Sequence, residues 1–273
     1  MHVNTETKSI LGQHTTLWQS LRIQKRVIYA LLMREIITRY GRHNIGFLWL
    51  FAEPMIFTIG IAALWTATKS VHGQNIPIIG FAVTGYSSVL LWRNSASRCA
   101  KAVEANLALL FHRNVRIIDL MFSRLLLEFA GASISLIVLT IIFIATGFME
   151  VPADIFLMIT AWLLLAWFAV GLGLILGYIS EVSEIFDRLW HAITYLLFPL
   201  SGAAFLVDWF PPEAQKYLLI LPMVHGTEML RHGYYGSLVI THENPGYLVT
   251  INLIFTFLGL FFLKGLNKKV TPE

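Results

Sequence analysis

The stretch RYGRHNIGFLWLFAEPMIF, Arg39–Phe57, decides how the chain is read. It begins with two arginines and a histidine inside five positions, then turns apolar, yet it keeps Glu53 and Pro54 inside the apolar part. A basic patch followed by an oily run is the pattern of a chain leaving a charged interface for a bilayer. Composition agrees: 56% of the residues are apolar, 13% are charged and the mean hydropathy is +0.67. An ordinary soluble domain carries about a quarter charged residues. The apolar residues also come in blocks that approach the roughly 20 residues a spanning helix needs. Six such blocks occur, at about 46–66, 75–92, 125–148, 155–179, 188–207 and 247–264. The second is short and the fifth is interrupted.

The expected fold is an all-α membrane protein. Six transmembrane helices occupy residues 46–266, preceded by an N-terminal segment over 1–45 and followed by a tail over 267–273. The first 45 residues lack the short apolar core and cleavage site of a secretory signal peptide, so none is expected. Cys99 is the single cysteine, which excludes an intramolecular disulfide framework.

The lysines and arginines orient these spans. With six crossings both termini share a side. That side receives the basic N-terminal segment, the second loop with Arg93, Arg98, Lys101, Arg113, Arg116 and Arg124, and the fourth loop with Arg188. It also receives the tail with Lys264, Lys268 and Lys269. The other side holds only Lys69, Lys216 and Arg231. The positive-inside rule therefore predicts cytoplasmic termini. The net charge of +4 lies along one membrane face and needs no nucleic acid to explain it.

Three segments lie outside the spans. Residues 15–42 carry apolar side chains at helical spacing with basic residues between them, which predicts an amphipathic helix in the cytoplasmic interface. In the second cytoplasmic loop Leu107, Leu109, Leu110 and Phe111 form an apolar knot between basic stretches. It reads either as a docking surface or as a short helix packed on the protein's own membrane domain. Residues 208–246, on the outer face, mix prolines, glycines and aromatics. They suit short re-entrant or interfacial helices, because broken backbone at that depth must be satisfied by protein or water.

Motifs for chemistry are missing. The sequence holds no G-x-x-x-x-G-K-[ST] loop, no H-E-x-x-H, no Cys/His cluster and no G-x-S-x-G elbow. GLGLILG at 171–177 falls inside the fourth block and reads as helix packing. Glu53 and Glu128 are the clear intramembrane acids. Glu128 follows Arg124 by four and predicts a salt-bridged helix end; Glu53 lies about two turns in, where a charge must face protein, water or a partner.

Four stretches together resemble the permease subunits of ABC transporters that export polysaccharides. LLMREIITRYGRHNIGFLWLFAEPMIF carries R-E-x-x-x-R-Y, then I-G-x-x-W, then an acid before proline. EANLALLFHRNVRIIDLMFSRLLLE is similar to that family's cytoplasmic loop, FPLSGAAF at 198–205 to its P-x-S-G motif, and LPMVHGTEMLRHGYYG to its outer-face segment. The glutamate before Pro54 and the small outer loops resemble the capsular-polysaccharide branch most.

The resemblance implies a transport subunit of the bacterial inner membrane that is not itself an enzyme. Two copies would form a pore above a separate ATPase dimer, which would bind the ATP and Mg; no cofactor or metal is expected in this chain. A lipid-linked polysaccharide would enter at the amphipathic helix and leave toward a periplasmic co-polymerase and an outer-membrane export protein. The implied substrate path runs along Arg34, Arg39, Arg42, Trp49, Glu53 and Trp167. The implied ATPase contacts are Leu107, Leu109, Leu110, Phe111, Glu181 and Glu184. Arg39 and Arg42 serve equally well to hold the helix junction at the headgroups or to take an anionic lipid linker, and the tryptophans serve equally well as an interfacial belt. Two other readings stand beside this one. In one, the same superfamily carries another cargo, such as O-antigen, a teichoic-acid-like polymer, a lipid or a drug. In the other, the chain is a membrane enzyme or scaffold with no transport role.

Overall fold

Prolines, glycines and capping carboxylates set the helix boundaries. The computed structural model describes residues 17–40, 44–68, 76–100, 102–110 and 115–270, and these residues form only helices and their connections. Helix α1 is Leu17–Tyr40 and α2 is Asn44–Thr68; α2 runs through Pro54 without a break. Helix α3, Ile78–Cys99, starts directly after Pro77. The single turn α4, Leu107–Leu110, leads to α5, Ile117–Ala145, whose first turn is closed by Asp119 accepting from the Arg116 backbone N–H at 3.1 Å. Gly147, at φ +77°, takes the left-handed conformation in the turn to α6, Ile155–Val182. Asp154 caps α6 by accepting from the Leu157 N–H at 2.9 Å. Helix α7, Glu184–Leu200, ends one residue past Pro199. Pro212 and Pro222 each occupy the first position of a short helix, α8 (Pro212–Leu218) and α9 (Pro222–Tyr235), where the missing N–H costs nothing. Helix α10 is Pro245–Val270.

Among the described residues, three helices are long and apolar enough to cross a membrane: α5, α6 and Pro245–Leu266 of α10. Four of the six predicted blocks match their helices closely at the start: α2, α3, α6 and α10 begin within about three residues of the expectation. Two differ. Helix α5 starts at Ile117 rather than near 125, where Asp119 closes the first turn by accepting from the Arg116 N–H. Helix α7 stops at Leu200 rather than near 207, because Gly202 at φ +80° turns the chain back.

Helix α6 is the hub, packed by α3, α5, α7, α9 and α10. Its glycines make this close approach feasible. A Cβ on Gly171 would stand 2.8 Å from Cβ of Phe255 on α10, and one on Gly177 would overlap Met121 of α5. From α10, Gly259 meets Leu174 in the same way, at 2.6 Å. Without a hydrophobic driving force between helices in lipid, small residues at such contacts supply the association energy through van der Waals packing. A main core fills the space between α3, α5, α6 and α9 around Phe81, Trp92, Leu139, Leu165 and Leu230. A second core, around Leu31, Cys99, Met121, Leu174 and Leu263, lies at the end of the bundle where α1 sits.

Candidate functional site

At that end, α1 lies across the helix ends and is held by charge. Arg39 is paired with Glu128 of α5 and, at 2.9 Å, with Glu35 one turn earlier in its own helix. Arg98 of α3 reaches Glu128 at 3.3 Å, and Arg124 of α5 reaches Glu35 at 3.4 Å. Burial alone would pull the Arg39 guanidinium down, but Glu128 and Glu35 outweigh it and hold it above its ordinary value. The expected Arg124–Glu128 pair is thus replaced by crossed pairs. Four residues along one helix align two side chains, but here α1 inserts a closer partner for each. A double-mutant cycle with Arg39→Met and Glu128→Gln is expected to give a coupling of about 1–3 kcal/mol in folded yield or thermal stability, because both side chains are nearly enclosed. Additive effects would mean the pair contributes nothing.

The loop between α3 and α5 is tied to the same helix. Arg34 donates to the Asn106 side chain at 2.7 Å, and Gln24 donates to Asp119 at 3.0 Å. Glu181, at the end of α6, accepts from the backbone N–H groups of Val103 and Glu104 at 3.1 and 3.2 Å. Leu110 is 7% exposed and packs into the second core; Leu109 is partly buried against it. Leu110 therefore does not stand out as a free docking side chain: it is buried in the apolar cluster that also holds Leu31, Ile117 and Leu266. Leu107 begins α4 and Glu184 begins α7. Arg42 and Phe111 lie outside the described residues.

The remaining candidates lie elsewhere. Trp49 and Glu53 are exposed on α2. Trp167, on α6, donates to Thr256 of α10 at 3.0 Å. The structure thus gathers Arg34, Arg39 and Glu181 beneath the bundle with the α4 loop, sets Trp49 and Glu53 on a surface of α2, and leaves Trp167 between helices.

The opposite end holds a second polar assembly that sequence reasoning missed. Arg231 of α9 is completely buried. Its Nη1 donates to the Gly202 and Phe205 carbonyls at 2.5 Å, its Nη2 donates to the Ala203 carbonyl, and its Cζ lies 3.6 Å above the Phe81 ring centre. Glu228, one turn earlier and equally buried, accepts from the backbone N–H groups of Val207 and His242 at 3.3 and 3.1 Å. Two side chains of one short helix thus satisfy the irregular backbone after α7 and part of that after α9, and Arg231 packs against α3 at Phe81. Gly85 of α3 leaves the room: a Cβ there would collide with the Ala203 carbonyl and with Arg231. The signal was present as Glu228 and Arg231 at i,i+3 inside a mostly apolar run, which puts both on one helix face.

The SGAA turn and the H-G-T-E-M-L-R helix, distant in sequence, are therefore one structural unit. The chain matches the ABC-2 type transporter model over residues 26–235, which takes in both parts of this unit and the ionic junction. The chain belongs to the ABC-2 type transporter family. This family member is 49% identical over 259 residues to the capsule polysaccharide export inner-membrane protein CtrC of Neisseria meningitidis serogroup B, covering 95% of this chain and 98% of that one. It is 46% identical over 262 residues to the capsule polysaccharide export inner-membrane protein BexB of Haemophilus influenzae, covering 96% and 99%. To the polysialic acid transport protein KpsM of Escherichia coli it is 28% identical over 245 residues, covering 87% and 92%. As an ABC-2 family chain it is a transport subunit and not an enzyme.

Proposed function

We propose that this chain is the membrane permease subunit of an ABC transporter that exports lipid-linked capsular polysaccharide across the bacterial inner membrane. The observation that carries the reading is the near-full-length identity to two capsule polysaccharide export inner-membrane proteins. In this reading α2, α3, α5, α6, α7 and α10 are the six crossings, α8 and α9 are re-entrant on the outer face, and both termini are cytoplasmic. Two copies form the pore over an ATPase dimer that binds the ATP and Mg, and periplasmic and outer-membrane partners receive the polymer. The ATPase grips the cytoplasmic loop that carries α4, with Leu107, Leu109 and Phe111, together with Glu181 at the end of α6 and Glu184 at the start of α7. The ties from Arg34 and Glu181 to this loop support the assignment, since they give a load on α4 two routes into the bundle.

The polymer enters past Arg39 and Arg42 and passes Trp49 and Glu53 of α2. Glu53 is exposed on the single chain, and a charge two turns into a crossing is tolerated only against protein or water, so in this reading it faces the second copy and the polymer path rather than lipid. Glu53→Gln is therefore expected to leave the amount of assembled permease unchanged while surface polysaccharide falls several-fold. Loss of folded protein instead would make Glu53 a structural partner. The reading as a whole is tested by purifying the tagged chain in mild detergent from cells that make capsule. An ATPase at one-to-one stoichiometry and intracellular polysaccharide accumulation on deletion are expected. A chain that purifies without an ATPase and whose deletion leaves export intact would overturn it.

A further inference from the structure

Residues 239–244 run from α9 to α10 as a strap bonded back onto α9. Glu243 is paired with His232, the His242 backbone N–H donates to Glu228 at 3.1 Å, and the Asn244 backbone N–H donates to Nδ1 of His225 at 3.0 Å. The His242 ring in turn meets Asp208 at 3.2 Å. Asn244 also starts α10: its side-chain oxygen accepts from the Tyr247 N–H at 3.0 Å, and its carbonyl accepts from the Leu248 N–H at 3.1 Å. The bond at His225 therefore pins the first turn of α10 to α9.

That bond differs from the others in what a proton does to it. Nδ1 of His225 accepts, so it needs its lone pair. Nε2 then carries the one ring proton and donates to the Leu219 carbonyl at 2.8 Å. Both ring nitrogens are committed, and the two bonds together exist only for a neutral imidazole. A proton on Nδ1 would face the Asn244 N–H donor to donor. His232 and His242 have no such requirement: each presents an N–H to a carboxylate, Glu243 or Asp208, whether its ring is neutral or charged. His225 is buried (4% exposed), with its ring centre 4.9 Å from that of Tyr247. Burial disfavours charge on the ring more than the Leu219 carbonyl and Glu243 favour it, which holds the ring below its ordinary pKa. Beside it lies an open pocket of about 510 Å³, lined by His225, His242, Glu243, Asn244 and Tyr247 among others, through which water reaches the strap.

We propose that His225 is an acid-released latch: protonation of its Nδ1 frees Asn244 and, with it, the strap and the first turn of α10. Closed, the ring must be neutral. Released, it takes a proton near the ordinary histidine pKa of about 6.5. The closed state is therefore fully favoured above that value and loses ground as pH falls below it. A released strap also withdraws from Glu228, whose other oxygen accepts from Val207, so the opening reaches the turn after α7. In the orientation proposed above this is the outer end of the chain, and the latch answers to the pH outside the inner membrane. The latch itself does not depend on that orientation or on the cargo.

Hydrogen exchange of the full purified chain between pH 7.5 and 5.5 tests it, read by mass spectrometry on peptides covering residues 239–250 and corrected for the intrinsic effect of pH. Wild-type protection of this segment is expected to fall by up to about tenfold at pH 5.5, the excess of charged over neutral imidazole one unit below its ordinary pKa. His225→Gln, whose amide accepts and donates but does not titrate, should show no such fall. His232→Gln and His242→Gln should keep it. Wild-type protection that is constant across the range would overturn the latch. So would a fall that survives in His225→Gln, since it would belong to another acid-sensitive group such as Glu228. Where His225→Gln is not recovered, the other two variants decide: a fall retained in both supports His225, and its loss in either moves the sensor to that histidine and overturns the proposal.

Discussion

Arg231→Met is expected to abolish recovery of folded protein. The methionine keeps the bulk but removes every donor. Three backbone carbonyls of the turn after α7, those of Gly202, Ala203 and Phe205, would then be buried and unpaired. Each such loss costs about 1–3 kcal/mol. The Glu228 carboxylate would also remain buried without the neighbouring cation, and breaking a buried charge arrangement costs on the order of 3–5 kcal/mol. Arg231→Lys should rescue little, because one ammonium cannot reach three carbonyls spread along a turn as the planar fork does. The measurement is the monodisperse fraction of a fluorescent fusion in detergent. Normal recovery of the methionine variant would show that the turn is held by its own packing and that the clamp is incidental.

Leu110→Asp is expected to remove the permease itself and not merely its partner. On sequence alone, Leu110 read equally well as a docking anchor and as part of the protein's own packing. It is seated among Leu31, Ile117, Leu120 and Leu266, so an aspartate there loses the burial of a large apolar side chain and brings an unpaired carboxylate into an apolar cluster. The combined cost is about 3–5 kcal/mol. The variant should therefore be degraded in cells, with ATPase recovery falling only in proportion. Leu110→Met, which conserves volume, should behave as wild type, at a cost under about 1.5 kcal/mol. Normal permease levels with a released ATPase would return Leu110 to the surface.

What could be read in the sequence divides along a physical line. Helix class and most helix starts follow from local signals, since apolar run length and prolines act on the residues beside them: Pro77 before α3, Pro212 at α8, Pro222 at α9 and Pro245 at α10. The glycines of 171–177 were also legible as packing, because lipid-embedded helices associate through small residues. Partners were harder. Arg124 and Glu128 share a helix face, yet Glu128 pairs with Arg39, a residue 89 positions away. Nothing local favours one cation over another. Arg231 counted in the sequence only as one of the few cations on the sparsely charged side, and its role depends on a turn that its own segment does not contain. Glu181 entered only as one of the ATPase contacts that the resemblance implies; its bonds to Val103 and Glu104 depend on a tertiary contact between α6 and the α4 loop.

The glycine contacts of α6 have a mechanical consequence. Side chains between helices act as springs, because they can change rotamer and absorb a displacement. Where Gly171 and Gly259 bring α6 and α10 nearly backbone to backbone, there is little to compress. These two helices, with α5 pressed on Gly177, form a stiff keel. Helix α7 is different. It leans on the rest through Phe186, Trp190, Leu197 and Phe198, with the Trp190 indole donating to Ser97 at 3.0 Å, and it exposes Ile185, Leu189, Tyr195 and Leu196 along its length. In the proposed complex, a force arriving through the α4 loop and Glu181 would meet the keel first. In the proposed dimer an opening would fall at the joint of α7, whose contacts with the rest of the chain run through side chains.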